Sequence, residues 1–327
     1  MKHWGEFVVV ENGDWQAYDW HWASRRILDM LIGGPELALR HIASFRRSDE
    51  RDFYGVIPGS GGAVIDLDRN RLLFCGDELM DRVPTRRVLL PALATVWAGF
   101  QVGWAYGGTR ELAGYVGEDC PPTDLAPEPL INLVTSRYWP CQVISVVGAD
   151  GSVRFWPVSE YWYPEAYGPS LLDALPGRGR ARVALKVLPT GGVHIDPGLK
   201  SVGVWRTRDV AAMLDAEPAI WPGWHVEFWE DRYEEQVARC GDGLRVPPWD
   251  LRAEIDEVRD SMRQRIFGSD WESPAAEVVE LLAVLRRLAP DFAVRDDEVV
   301  AGMIRPSRQQ WERFLAACGS AEEASAA

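Results

Sequence analysis

WPGWHVEFWEDRYEEQVARCG, residues 221–241, lies in register and without a gap over WAGFQVGWAYGGTRELAGYVG, residues 97–117. Each opens on an aromatic turn (Trp97-Ala98-Gly99-Phe100, Trp221-Pro222-Gly223-Trp224), passes into a short alternating segment, and ends in a helical pattern closed by Gly117 or Gly241. Working outward, earlier landmarks recur in the same order. Gly61-Gly62-Ala63-Val64-Ile65-Asp66 returns as Gly191-Gly192-Val193-His194-Ile195-Asp196, and Ile27-Leu28-Asp29-Met30-Leu31 returns as Leu171-Leu172-Asp173-Ala174-Leu175. Conserved order with a drifting offset is what a tandem duplication predicts. The hairpin of residues 7–20 likewise matches 143–156, with Asp150 opposite Asp14 and Trp156 opposite Trp20.

Alternating apolar runs bounded by Asn-Gly, Asp-Arg-Asn and Gly-rich turns predict hairpins, and the segments between them carry helical spacing. The expected class is therefore α+β, two hairpin-rich units with mostly antiparallel sheet, followed by a helical segment. The expected boundaries are 1–117 for the first unit, 118–142 for a Pro-rich connector, 143–241 for the second unit, 242–318 for C-terminal helices and 319–327 for a disordered tail. Within the helices, Ser307-Arg308-Gln309-Gln310 has the form of a capping box, and Ser273-Pro274 that of a helix start.

Composition narrows the function. A net charge of -14 opposes binding to a phosphate backbone or an anionic membrane, since both require clustered Lys and Arg. No run of about 18 apolar residues and no signal-peptide pattern is present, so the expected location is cytoplasmic. Cys75, Cys120, Cys141, Cys240 and Cys318 are odd in number, scattered and without CxxC spacing, which predicts buried thiols rather than a disulfide framework or zinc site. No nucleophile elbow, Walker motif, kinase signature, dinucleotide fingerprint or zinc-protease helix occurs. Gly59-Ser60-Gly61-Gly62 opens a strand rather than a helix, which is the wrong context for a phosphate cradle. No cofactor is therefore expected.

Candidate chemistry comes from polar residues present in one unit only. His194 stands where the first unit has Val64, His225 where it has Gln101, and Glu227 where it has Gly103. His194 and Asp196 share a strand face, as do His225 and Glu227. Were the two strands neighbours, two imidazoles and two carboxylates would converge, suiting a divalent metal or a His general base in a hydrolase. Asp196 has a counterpart in Asp66, however, which suits a turn role. A second candidate is the acidic run Glu230, Asp231, Glu234 and Glu235, a docking face for a basic protein partner or simply a solvated helix surface. A third is an aromatic groove built from Trp20, Trp22 and Trp162, a platform for a small ligand or carbohydrate, although such side chains also supply core.

The stretch 61–117, with its hydrophobic hairpin, the Pro84-Thr85-Arg86-Arg87 helix and the Trp97-Ala98-Gly99-Phe100-Gln101-Val102-Gly103-Trp104 turn-strand, resembles a group of uncharacterised actinobacterial proteins. The resemblance implies a bacterial, intracellular origin and transfers no catalytic residue. The expected function is that of a non-catalytic binding protein, with an immunity or antitoxin-like partner of a toxin as one form.

Overall fold

A computed structural model describes residues 5–20, 23–48, 61–118, 133–207, 219–268 and 304–325. The chain forms two compact units, one made of Met1–Met80, Pro84–Pro121 and Asp250–Ala327, the other of Asp81–Val83 and Pro122–Trp249. It is an α+β protein with two multi-stranded sheets and a C-terminal helix.

In the first unit β1 (Gly5–Glu11) and β2 (Asp14–Trp20) form a hairpin across Asn12-Gly13, both at positive φ (57° and 78°). That is the geometry Asn-Gly supplies at low cost in a two-residue hairpin turn. The backbone N–H groups of both turn residues donate to the Asp68 carboxylate at 2.8 Å, tying this hairpin to the next. After α1 (Ala23–Leu31), α2 (Pro35–Ile42) and the short β3 (Arg46–Arg47) comes the second hairpin, β4 (Gly61–Asp66) with β5 (Arg71–Cys75). Then α3 (Val83–Val96), β6 (Gln101–Trp104) and α4 (Gly108–Tyr115) follow. The sheet order is β3-β2-β1-β4-β5-β6. The hairpins are antiparallel, but β1 pairs with β4, and β5 with β6, in parallel. These crossovers bury β4 on both faces. Ala63 and Ile65 join the large core with Phe7, Phe74 and Trp97, while Val64 joins a second layer with Val8, Leu73 and Leu112 of α4.

The second unit repeats this order of pairing. Here β7 (Gln142–Val147) and β8 (Val153–Val158) make a hairpin, followed by α5 (Leu171–Ala174), the two-residue β9 (Val183–Ala184), and the hairpin of β10 (Gly191–Asp196) with β11 (Ser201–Arg206). Then come β12 (His225–Phe228), α6 (Tyr233–Cys240) and β13 (Leu244–Arg245). The order is β12-β11-β10-β7-β8, with β7 parallel to β10 and β11 parallel to β12, while β13 pairs with β9. Turn chemistry matches residue by residue. Asp66 accepts from the Arg69 N–H and Asp196 from the Leu199 N–H; Asn70 and Lys200 sit at φ 51° and 50°; Gln101 N–H donates to Asn70 O and His225 N–H to Lys200 O, both at 2.8 Å. One correspondence shifts. Trp20 pairs with Gly5, and the residue paired with the matching Gln142 is Val158, so Trp156 stands where Tyr18 does. The cause is the β7–β8 connection, residues 148–152, which is longer than Asn12-Gly13.

The C-terminal helices α7 (Leu251–Phe267) and α8 (Arg308–Ser325) belong to the first unit rather than standing apart. Ile255, Val258, Met262 and Ile266 from α7, with Trp311, Phe314 and Cys318 from α8, complete its large core. The Asp250 carboxylate caps α7 by accepting from Ala253 N–H at 2.8 Å. The expected capping box at α8 is present: Gln310 N–H donates to Ser307 Oγ (3.2 Å) and Ser307 N–H to Gln310 Oε1 (2.8 Å). The helix then runs through residues 319–325, where a disordered tail was expected. The Ser273 helix start and most of the connector lie outside the described residues. Among the described residues no helix is long and apolar enough to cross a membrane, and Cys75, Cys141, Cys240 and Cys318 are buried and form no disulfide.

A charged clasp holds α7 to α1. Arg265 contacts Asp77 at 2.8 and 2.9 Å and Asp29 at 2.7 Å, and donates to Arg25 O at 2.6 Å. Burial pushes the Asp29 carboxyl above its usual range, against the pull of Arg265 and Arg26. Removing one partner of such a group strands the others without compensation. Arg265→Met is therefore expected to lower the stability of the chain by about 3–5 kcal/mol, read as a shift in the urea unfolding midpoint.

Candidate functional site

The residues singled out by comparing the units fall on one face of the second sheet. Pairing places Phe155, Ser145, His194, Gly203 and Glu227 in a single row across all five strands. The matching row of the first unit is Ala17, Val8, Val64, Leu73 and Gly103. Where the first unit has a dry layer under α4, the second has a polar layer under α6.

His194 and His225 do not meet. β11 separates their strands, putting β10 and β12 about 10 Å apart, so the expected convergence of two imidazoles and two carboxylates is not formed. Among the described residues no group of three or more His, Cys, Asp or Glu side chains is placed to hold a metal ion. Asp196 takes the turn role, accepting from Leu199 N–H at 3.1 Å.

Two smaller assemblies form instead. In the interior, His194 Nδ1 lies 2.9 Å from Ser145 Oγ and 3.8 Å from Cys240 Sγ. Gln236 of α6 ties this group to the sheet: its Nε2 donates to Val143 O and Ser145 Oγ, each at 2.9 Å, and its Oε1 accepts from Trp205 Nε1 at 2.8 Å. Such a network is stabilising when its members are satisfied. Ser145 is wholly buried and His194 nearly so, so this Ser–His contact presents no nucleophile to a substrate. Burial pushes the His194 imidazole down to about 4, helped by Arg239, and burial also raises the Cys240 thiol.

Nearer the surface, Trp229 covers Gly203, where an added Cβ would come within 1.8 Å of the indole. Gly203 and Trp229 replace Leu73 and Ala105 of the first unit, an exchange of large for small across the same contact. Trp229 Nε1 donates to Glu227 Oε2 at 2.8 Å, and that hydrogen bond holds the Glu227 carboxyl below its usual range. Arg239 lies over the indole at 4.4 Å and reaches Glu227 at 3.2 Å, while His225 Nε2 stands 3.3 Å from Glu227 Oε1. His225 and Glu227 are therefore brought together as expected, on an edge strand with His225 well exposed.

The acidic run divides. Glu230 and Glu234 are exposed, Asp231 is buried, and Glu235 pairs with Arg239 at 2.6 Å and Arg232 at 3.8 Å. The aromatic groove is not formed from the expected residues. Trp20 is buried and stacked on Phe45 at 5.0 Å, Trp162 is buried against Tyr167, and Trp22 lies outside the described residues. Among the described residues the large exposed apolar side chains are elsewhere: Tyr138, Trp139 and Tyr161 are 61 %, 69 % and 71 % exposed, with Leu133, Leu199 and Phe267 also exposed.

The gapless match of 97–117 with 221–241 also marks the two α6 residues of the buried network. It puts Gln236 at the position of Leu112 and Cys240 at that of Val116, the same apolar-to-polar exchange that singled out His194. Comparison with known proteins adds no functional assignment, since no protein-family model, curated protein or solved structure matches the chain.

Two tests follow from this layer. Buried His194 and His41, the latter bonded to Ile304 O at 2.7 Å, both titrate at about 4 in the folded protein against 6.5 for the free group. The unfolded chain therefore binds protons first, so stability present above pH 6.5 is lost as pH falls toward 4, by up to on the order of 3 kcal/mol for each histidine. His194→Asn should shrink the stability difference between pH 7 and pH 4.5; unchanged pH dependence would contradict the assignment. Gly203→Ala should cost about 1–3 kcal/mol by overpacking against Trp229, measured by thermal unfolding at pH 7.

Proposed function

We propose that this chain is a non-catalytic binding protein of the bacterial cell interior whose contact surface lies on the second unit, and that an immunity or antitoxin-like partner of a toxin is its most concrete form. The observation that carries this reading is the exposure of three large aromatic side chains in the second unit. Tyr138, Trp139 and Tyr161 stand in solvent, whereas Trp20, Trp97, Trp156, Trp162, Trp205, Trp221, Trp229 and Trp311 are buried.

The three exposed aromatics stand on two segments whose ends are joined. Leu133, itself 46 % exposed, bridges to Val158 of β8, and Gln142 Nε2 donates to Ser159 O and Glu160 O at 3.0 and 3.2 Å. Exposed Trp and Tyr are favoured as binding anchors because they bury large area at small entropic cost. The acidic helix contributes less than the sequence suggests, since Asp231 is buried and Glu235 is ion-paired.

The test is a tagged pull-down from the native host with wild type and Tyr138→Ala/Trp139→Ala. A stoichiometric protein partner should be retained by wild type at moderate salt and lost by the double variant. Anchor truncations of about 2 kcal/mol each correspond to a loss of several hundredfold in affinity. The melting temperature should not move, because both side chains are exposed. Recovery of the chain alone, or equal retention by the variant, would refute the reading.

A further inference from the structure

At Tyr138 the second unit carries a cleft of about 420 Å³. Its frame is fixed by the backbone. Val134 N–H donates to Pro157 O at 2.9 Å, Phe155 and Arg180 exchange a pair of backbone hydrogen bonds at 2.9 Å, and Lys186 N–H donates to Arg137 O at 2.8 Å. The strap of residues 134–138 forms one wall and the segment 180–185 the other. Three arginines line the cleft, Arg137 from the strap with Arg180 and Arg182 from the facing segment. Arg180 and Arg182 flank the bend at Ala181 in the segment that faces the strap.

These arginines differ from others in the unit. Arg206, Arg232, Arg239 and Arg245 each hold a carboxylate. Among the described residues Arg137, Arg180 and Arg182 hold none: Arg137 rests on the Tyr138 ring at 5.3 Å and donates to its hydroxyl at 3.4 Å, and Arg180 reaches only Val134 O, at 3.5 Å. Three arginines that line one cleft, none ion-paired among the described residues, in a chain of net charge -14, are not explained by folding stability. Guanidinium groups match the bidentate geometry of phosphate and carboxylate. The cleft has the size of a small-molecule site, and Thr135, Ser136 and the Tyr138 hydroxyl supply neutral donors on its rim.

We propose that this cleft binds a small organic oxyanion, a phosphate or polycarboxylate, held by Arg137, Arg180 and Arg182. The site needs no protein partner and stands or falls apart from the binding-protein reading. It is tested by calorimetric titration of the full chain with inorganic pyrophosphate and, separately, with citrate, at low salt, for wild type and for Arg180→Gln/Arg182→Gln. At least one anion should bind with a Kd below about 1 mM, and the double variant should bind it at least about tenfold more weakly. Binding of pyrophosphate alone assigns a phosphate ligand, and binding of citrate alone a carboxylate. Should the double variant fail to fold, Arg182→Gln alone serves, because the Arg182 side chain makes no hydrogen bond to the described protein. Failure of both anions to bind below about 1 mM, or equal binding by the variant, would overturn the site.

Discussion

Both units depend on a position where no side chain can stand. A Cβ at Gly62 would come within 2.1 Å of Glu6 O and 3.2 Å of Leu112, and one at Gly192 within 2.0 Å of Gln236 Oε1 and 2.3 Å of Trp205 Nε1. Each glycine sits on the central strand under the helix that follows the aromatic turn-strand. The empty space lets that helix settle on the sheet. What it then delivers differs: Leu112 extends an apolar layer in the first unit, while Gln236 reaches the carbonyl of Val143 and the Ser145 hydroxyl in the second. The same backbone constraint thus supports a dry contact and a hydrogen-bonded one.

Local signals made most of the fold legible. Asn-Gly, paired Asp turns, the Trp-x-Gly turns and the Ser307–Gln310 box each act within a few residues, and each forms as its chemistry dictates. Strand neighbourhood was not legible. His194 and His225 lie on strands whose separation depends on the parallel crossover of β12 onto β11, and no residue near either histidine encodes it. The C-terminal helices were readable as helices, but not as part of the first core, because an apolar stripe does not specify its partner. The exposure of Tyr138 and Trp139 is not legible for a related reason: the chain's many tryptophans look alike in sequence, and only burial separates Trp162 from Trp139.

Charge is also distributed differently from what composition suggests. The acid-rich helix α6 neutralises part of its charge against Arg232 and Arg239, and Arg239 doubles as a cap over Trp229. Meanwhile three arginines, none ion-paired among the described residues, line the cleft beside β8. An overall acidic balance therefore does not set the local field, and the local field decides what a cleft attracts.

The return of α7 and α8 to the first core has a consequence for synthesis on the ribosome. Phe7, Ile27 and Trp97 emerge early, but Ile255, Met262 and Phe314, which cover the same core, follow only after the whole of Pro122–Trp249. At about 5–20 residues per second, the interval is on the order of ten seconds. Throughout it the nascent first unit displays an unfinished apolar face while the second unit can already close. The core of the first unit is thus closed only by the last part of the chain to be made.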